Sequence, residues 1–235
     1  MSGILYIISA PSGSGKSTLV NEMRKFVPNL EFSVSFTTRL PRGSEQNGRE
    51  YYFIIRPEFE EMISRGEFLE YAKVFDNYYG TAKSVLEQAF RRGNDVLLDI
   101  DVQGERQVKE KMPHAVSIFV LPPSRAELES RLRKRSISEN VRSEDTILQR
   151  LDRARKEIER YPSYDYILVN DRLEQSVDQL QAIILGERQK RSGKPLSPED
   201  RRYLETAEKC LKANMEEKIK SILATFCDVS SSTAT

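Results

Sequence analysis

Five apolar residues, Ile4 to Ile8, run straight into Ser9-Ala10-Pro11-Ser12-Gly13-Ser14-Gly15-Lys16-Ser17-Thr18, and a helical pattern follows over 16–26. No other stretch restricts the fold as much. A strand, a glycine-rich turn ending in Gly-Lys-Ser and a helix together form a phosphate-binding loop, in which backbone N–H groups converge on phosphate oxygens and the helix N-terminus adds partial positive charge. In that frame Lys16 reaches the β and γ phosphates of a bound nucleotide, and the Ser17 hydroxyl sits on Mg²⁺. Ala10 stands where the strict pattern has glycine, which is tolerable if its φ is below zero. A chance Gly/Ser turn is the alternative, and the flanking strand and helix argue against it. The loop implies a nucleotide without naming a reaction.

Further short, β-branched apolar runs at 96–100, 116–121 and 166–169 read as parallel strands, with helical patterns at 83–92, 104–112, 124–135, 143–160 and 172–187. This alternation predicts an α/β fold of the P-loop NTPase kind, a parallel sheet flanked by helices, built from residues 1–34, 82–124 and 161–190. Residues 35–81, rich in aromatics and turn signals such as Asn47-Gly48, read as an inserted lobe. Residues 125–160 are dense in Arg and Lys and read as a mobile helical lid, with Ser136–Ser143 expected to be polar and structureless.

Beyond Ser192-Gly193-Lys194-Pro195 lies a helical extension, 191–235. Ser197 can cap a helix begun by Pro198 with Glu199 and Asp200 in its first turn. Leu204, Ala207, Leu211, Met215, Ile219, Ile222 and Phe226 then recur at steps of three or four, which predicts one long amphipathic helix over 197–226. Its stripe packs either on the core or on the same stripe of a second copy, making a homo-oligomer. The extension is expected to lie outside the chemistry.

The 37 Lys and Arg balance 36 Asp and Glu, so nothing draws the chain as a whole to nucleic acid or to a charged membrane surface. The longest apolar run is far too short to cross a bilayer, and no export signal is evident, so the expected compartment is the cytoplasm. Cys210 and Cys227 have no metal-type spacing and read as thiols in a reducing setting. The single histidine, His114, reads as a surface residue, which leaves acid–base work to other groups.

Ser33-Val34-Ser35-Phe36-Thr37-Thr38-Arg39-Leu40-Pro41-Arg42 sets two arginines beside hydroxyls, and Glu45, Gly48 and Tyr51 follow. With Glu70, Asn77-Tyr78-Tyr79-Gly80-Thr81, Asp99-Ile100-Asp101-Val102-Gln103-Gly104 and Tyr164-Asp165-Tyr166-Ile167-Leu168-Val169-Asn170-Asp171, the chain resembles the guanylate kinase family over roughly 3–190. The resemblance implies Mg²⁺-dependent, reversible transfer of a phosphoryl group from ATP to GMP or dGMP. It implies that Arg39, Arg42, Tyr51 and Tyr79 hold the GMP phosphate, with Glu45 in the same lobe. Glu70 would accept from guanine N1–H and the exocyclic amine, Ser35 and Thr81 would donate to O6, and Asp101 would meet the amine. Asp99 would lie by Mg²⁺ and the transferring group. Arg135 and Arg150 of the lid would close over ATP, with Arg131 and Asn170 toward the adenine.

Blander readings stand beside these. Either aspartate could simply cap the following helix, a charge run on a helix is usually a solvated face, and an Asn-Asp turn needs no ligand. The segment Ser136–Arg142 is longer than the family's glycine-containing turn, Gly43-Ser44 replaces the usual Pro-Gly, and the bulky Phe36 is expected to pack inward. The rival functions are a phosphopeptide-binding module that has lost catalysis and a P-loop kinase for another phosphorylated small molecule. Intact Lys16, Ser17, Arg39, Arg42 and Asp99 argue against the first, and Glu70 with Thr81 against the second.

Overall fold

The computed structural model describes residues 3–74, 76–138 and 144–227. The chain opens with β1 (Leu5–Ser9), α1 (Lys16–Met23), β2 (Leu30–Phe32), β3 (Ser35–Thr37), β4 (Tyr51–Phe53) and α2 (Arg56–Ser64). It continues through β5 (Phe68–Val74), β6 (Asn77–Ala82), α3 (Lys83–Arg91), β7 (Asp95–Asp99), α4 (Val102–Lys111) and β8 (Val116–Leu121). It closes with α5 (Arg125–Ser138), α6 (Glu144–Ile158), β9 (Tyr166–Val169), α7 (Leu173–Ser192), α8 (Pro198–Lys209) and α9 (Lys212–Cys227). These elements divide into two compact units, one drawn from the chain up to Ile8 and Pro28–Val116, the other from Ser9–Val27 and Ser117 onward.

In the first unit β7 lies parallel to both β1 and β2. Every residue of β1 is buried, which is why its sequence is apolar throughout rather than alternating. Leu86 and Ala89 of α3 and Val108 of α4 join Leu5, Ile7, Val96, Leu98 and Ile100 in one core. The unit also holds a second sheet, in the order β4-β3-β6-β5. Its β3–β4 pair is parallel and its other pairs are antiparallel. Phe59, Met62 and Phe68 form its core, with Phe36 and Tyr78 packed against them. Phe36 does turn into this cluster, stacking on Tyr52 at 4.8 Å between ring centroids.

In the second unit β8 and β9 pair in parallel and are buried along their whole length. Helix α5 runs through Ser138, so the stretch expected to be structureless from Ser136 is helical over its first residues, and the rest of it, 139–143, lies outside the described residues. Arg133 joins the two helices of this region, meeting Glu129 on α5 at 2.7 Å and Glu144 at the start of α6.

The extension departs from the single long helix that its stripe predicts. The Ser197 capping box and Pro198 start α8 as expected, but the helix stops at Cys210. The carbonyl of Cys210 accepts from Ile167 N at 2.8 Å, and Lys212 N donates to Asp165 O at 3.1 Å. Leu211 forms an antiparallel bridge with Tyr166 of β9. Backbone groups that would have continued the helix are spent on a strand, and α9 starts afresh. Of the stripe, Ala207, Ile219, Ile222 and Phe226 are buried within the chain and Leu204, Leu211 and Met215 are partly so, while Cys210 beside them is buried too. Helix α8 lies on α7, and α9 lies against α5, α6 and β9.

Candidate active site

The loop between β1 and α1 wraps as its sequence predicts. Ser14 N donates to Pro11 O at 3.1 Å, and Gly13 and Gly15 take φ values of 93° and 84°, a region that costs glycine nothing. Among the described residues Asn29 is the one non-glycine with positive φ, so Ala10 meets the condition its substitution requires. Helix α1 begins at Lys16 with Gly15 as its N-cap and no side chain capping it. Gly15 thus offers the first turn no capping side chain, and an uncapped helix N-terminus after a glycine-rich turn is the arrangement that receives an anion.

The walls of this loop explain its second glycine. A side chain at Gly15 would put a carbon 2.4 Å from Asn170 Nδ2. That amide donates to Ser14 O at 2.8 Å. Arg131 completes the contact, its guanidinium reaching Ser14 O at 3.3 Å and Asn170 O at 3.0 Å while Glu127 holds Nε at 2.8 Å. Arg131 and Asn170 are thus brought together against the phosphate loop. Arg135 is exposed near the end of α5, and Arg150 is half-buried in α6.

The residues expected to bind the acceptor fall in the first unit. The sheet pairs Glu70 with Thr81 across β5 and β6, next to a bulge between Phe68 and Glu70. Ser35 Oγ lies 3.4 Å from Thr81 Oγ1, and Ser35, Thr37, Glu70 and Thr81 are all buried. Burial pushes the Glu70 carboxyl up to about 7, with a smaller push from the charge of Asp101, while hydrogen bonds from Thr81 pull it down. A carbon at Gly104 would lie 2.6 Å from Glu70 Oε2, so the first turn of α4 packs against the carboxylate and requires glycine there. The sequence shows Gly104 only as the end of the motif Asp99–Gly104, with no role of its own. A glycine in the first turn of a helix, where alanine is the better helix former, was the available signal.

Asp101 takes the bland alternative as well. It is the N-cap of α4, with Oδ1 accepting from Gln103 N at 3.0 Å and Gly104 N at 2.9 Å. Asp99 is the last residue of β7. Its negative charge, after burial, helps to push the Tyr51 phenol up to about 12.

Arg39 makes a two-point pair with Glu45, at 2.9 and 3.0 Å, and donates to Leu40 O at 2.7 Å. It lies 5.4 Å from the centroid of the Tyr51 ring, and Tyr51 lies 5.8 Å from Tyr79. Burial alone would raise the Glu45 carboxyl, but the Arg39 guanidinium and the Arg42 N–H hold it below the ordinary range. Arg42 itself is exposed. A guanidinium fixed against the rings of Tyr51 and Phe53, with the Tyr79 phenol beside Tyr51, forms a surface suited to a phosphate dianion.

A phosphate loop at the head of α1 and, separately, a buried carboxylate beside hydroxyls, with two arginines in the segment that follows β3, are the features of a P-loop kinase acting on a small phosphorylated acceptor. The guanylate kinase family model matches residues 2–187. A guanylate kinase from Koribacter versatilis is 58% identical over 97% of this chain and 97% of its own length. One from Escherichia coli K12 is 50% identical over 79% of this chain and 89% of its own. The crystal structure of guanylate kinase from Anaplasma phagocytophilum superposes with a TM-score of 0.66 at 37% identity, covering 79% of this chain and 86% of that one. The chain belongs to the guanylate kinase family, the nucleoside monophosphate kinases that transfer a phosphoryl group from ATP to GMP.

Proposed function

We propose that residues 35–81 are the acceptor lobe of this kinase, with Glu70 receiving guanine N1–H and the exocyclic amine and Ser35 and Thr81 facing O6. The observation that carries the reading is the burial of Glu70 beside Thr81 and Ser35. Adenine presents an acceptor at N1, so a buried carboxylate there would be left unsatisfied, and such mismatches cost about 10⁴-fold. The GMP phosphate would displace Glu45 from part of the Arg39 fork and take Arg42, Tyr51 and Tyr79 as further donors.

In the second unit Lys16 and the N–H groups of α1 hold the ATP phosphates, residues 125–160 act as the lid, and Arg135 and Arg150 close over the transferring group. The acceptor oxygen is already ionised at neutral pH, so the protein has no proton to remove. Its contribution is orientation, charge stabilisation and exclusion of water. Among the described residues no cluster of His, Cys, Asp and Glu could hold a metal by itself. Mg²⁺ on nucleotide phosphates does not require one, and the Ser17 hydroxyl and the Asp99 carboxylate each offer the oxygen donor it prefers. When bound, the ion neutralises charge on the phosphates.

Among the described residues no helix is long and apolar enough to cross a membrane, and a cytoplasmic setting fits both the substrates and the buried thiol of Cys210. The test is ADP release with GMP, dGMP, AMP, CMP and UMP as acceptors, for the wild type and Glu70→Gln. The guanine nucleotides should be strongly preferred, and the variant should lose that preference while still binding ATP. An unchanged preference in Glu70→Gln would move the guanine site elsewhere.

A further inference from the structure

Two elements carry the groups that hold the phosphate loop: α5 carries Arg131, and β9 runs directly into Asn170. Both are fastened by the C-terminal extension. On β9 the attachment is the backbone pairing of Cys210 and Lys212 with Ile167 and Asp165. On α5, against which α9 packs, it includes a hydrogen bond from a residue 100 positions away, as Thr225 Oγ1 accepts from Arg125 N at 3.0 Å.

Arg125 is the first residue of α5, so its N–H has no partner within the helix. The local cap, Ser124, serves a different donor, accepting from Glu127 N at 3.2 Å. Thr225 therefore supplies the missing half of the cap. Its own hydroxyl hydrogen goes to Ile222 O at 2.6 Å, which fixes the direction of the lone pair it offers. The connection then runs through the first turn of α5 to Glu127, from Glu127 to Arg131, and from Arg131 to Ser14 O.

We propose that the extension is a positioning brace for the donor-nucleotide site, with Thr225 the positioning residue that acts on the phosphate loop through α5 and Arg131. It is the alternative to the sequence expectation that this segment stands outside the chemistry. The segment lies beyond the family match, which ends at residue 187, while the Koribacter relative matches 97% of the chain and so takes most of it in. The inference rests on the reading of Arg131 as part of the donor site.

Steady-state constants for Thr225→Val, Thr225→Ser and Arg131→Ala, measured in the full chain well below each melting temperature, separate the two ideas. Thr225→Val keeps the shape and removes the acceptor, so KM for ATP should rise about fivefold, the equivalent of one net hydrogen bond. KM for GMP should stay within about twofold, and Thr225→Ser should restore the wild-type value. If Arg131→Ala raises KM for ATP but Thr225→Val does not, or if Thr225→Val raises both constants together, the brace is overturned and the donor reading survives. If Arg131→Ala leaves KM for ATP unmoved, the donor reading fails and takes the brace with it.

Discussion

Asn170 Nδ2 donates to the backbone carbonyl of Ser14 at 2.8 Å in a buried position, so a residue at the end of a strand fixes the crown of the phosphate loop. Replacing it by Ala leaves that carbonyl with only the longer contact from Arg131. The expected cost is about 1–3 kcal/mol of stability, seen in urea unfolding, together with a raised KM for ATP. Asn170→Asp should be worse for ATP than Asn170→Ala, because it turns a donor into a negative charge beside the phosphates. Equal KM values for the two variants would show that Asn170 serves the loop only as packing.

Gly104→Ala sets two effects against each other. Alanine favours a helix over glycine by about 0.5–1 kcal/mol, yet its Cβ would lie 2.6 Å from Glu70 Oε2. Overpacking of this kind costs about 1–3 kcal/mol, so the clash should win and displace the carboxylate. KM for GMP is expected to rise about tenfold or more with KM for ATP unchanged. A more stable variant with normal GMP use would show that Glu70 has room to move.

What the sequence disclosed follows the range of the interactions concerned. The phosphate loop is legible because its strand, glycines and helix are contiguous, so its conformation follows from its own spacing. The Arg39–Glu45 pair is likewise local. Glu70 could be quoted from a resemblance, but its burial beside Thr81 depends on how β5 and β6 register. The three-residue β2 gave no signal, since it exists only because β7 offers it a parallel partner. At Cys210 and Leu211 the apolar period runs on unbroken through a helix end that β9 imposes. Asp101 shows the limit in reverse, because a capping aspartate and a ligand aspartate look the same in sequence.

Glu70 should also tie stability to pH. Its carboxyl, raised from the ordinary 4.5 to about 7 by burial, holds its proton more tightly in the folded protein than in the unfolded chain. Stability from this group is therefore complete below about 4.5 and is lost as pH rises through about 7, by on the order of 3 kcal/mol in all. Glu70→Gln lacks this slope. Its unfolding free energy relative to the wild type should grow between about pH 5 and pH 8. Guanine donors favour the ionised carboxylate, so KM for GMP in the wild type should fall over the same interval. A difference between the two proteins that does not vary with pH would mean that Glu70 is ionised throughout.

Arg39→Lys tests whether the phosphate surface needs a fork or only a charge. The guanidinium contacts Glu45 through two nitrogens, donates to Leu40 O and lies over Tyr51, so its plane is fixed before any phosphate arrives. A lysine keeps the charge but offers one mobile ammonium with no planar face to lie on the ring. The pair with Glu45 is partly exposed, with side chains 10% and 22% accessible, and pairs of this kind contribute only about 0–1 kcal/mol. Stability should change by no more than that. Aim of the acceptor phosphate is a different quantity, since a displacement of about 1 Å can cost on the order of 10²-fold in rate. The expectation is therefore a fall of about 10²-fold in kcat/KM for GMP, most of it in kcat, with the urea midpoint nearly unmoved. If Arg39→Lys turns over GMP at the wild-type rate, charge alone suffices at this position and the orienting role belongs to Arg42 and the phenols of Tyr51 and Tyr79.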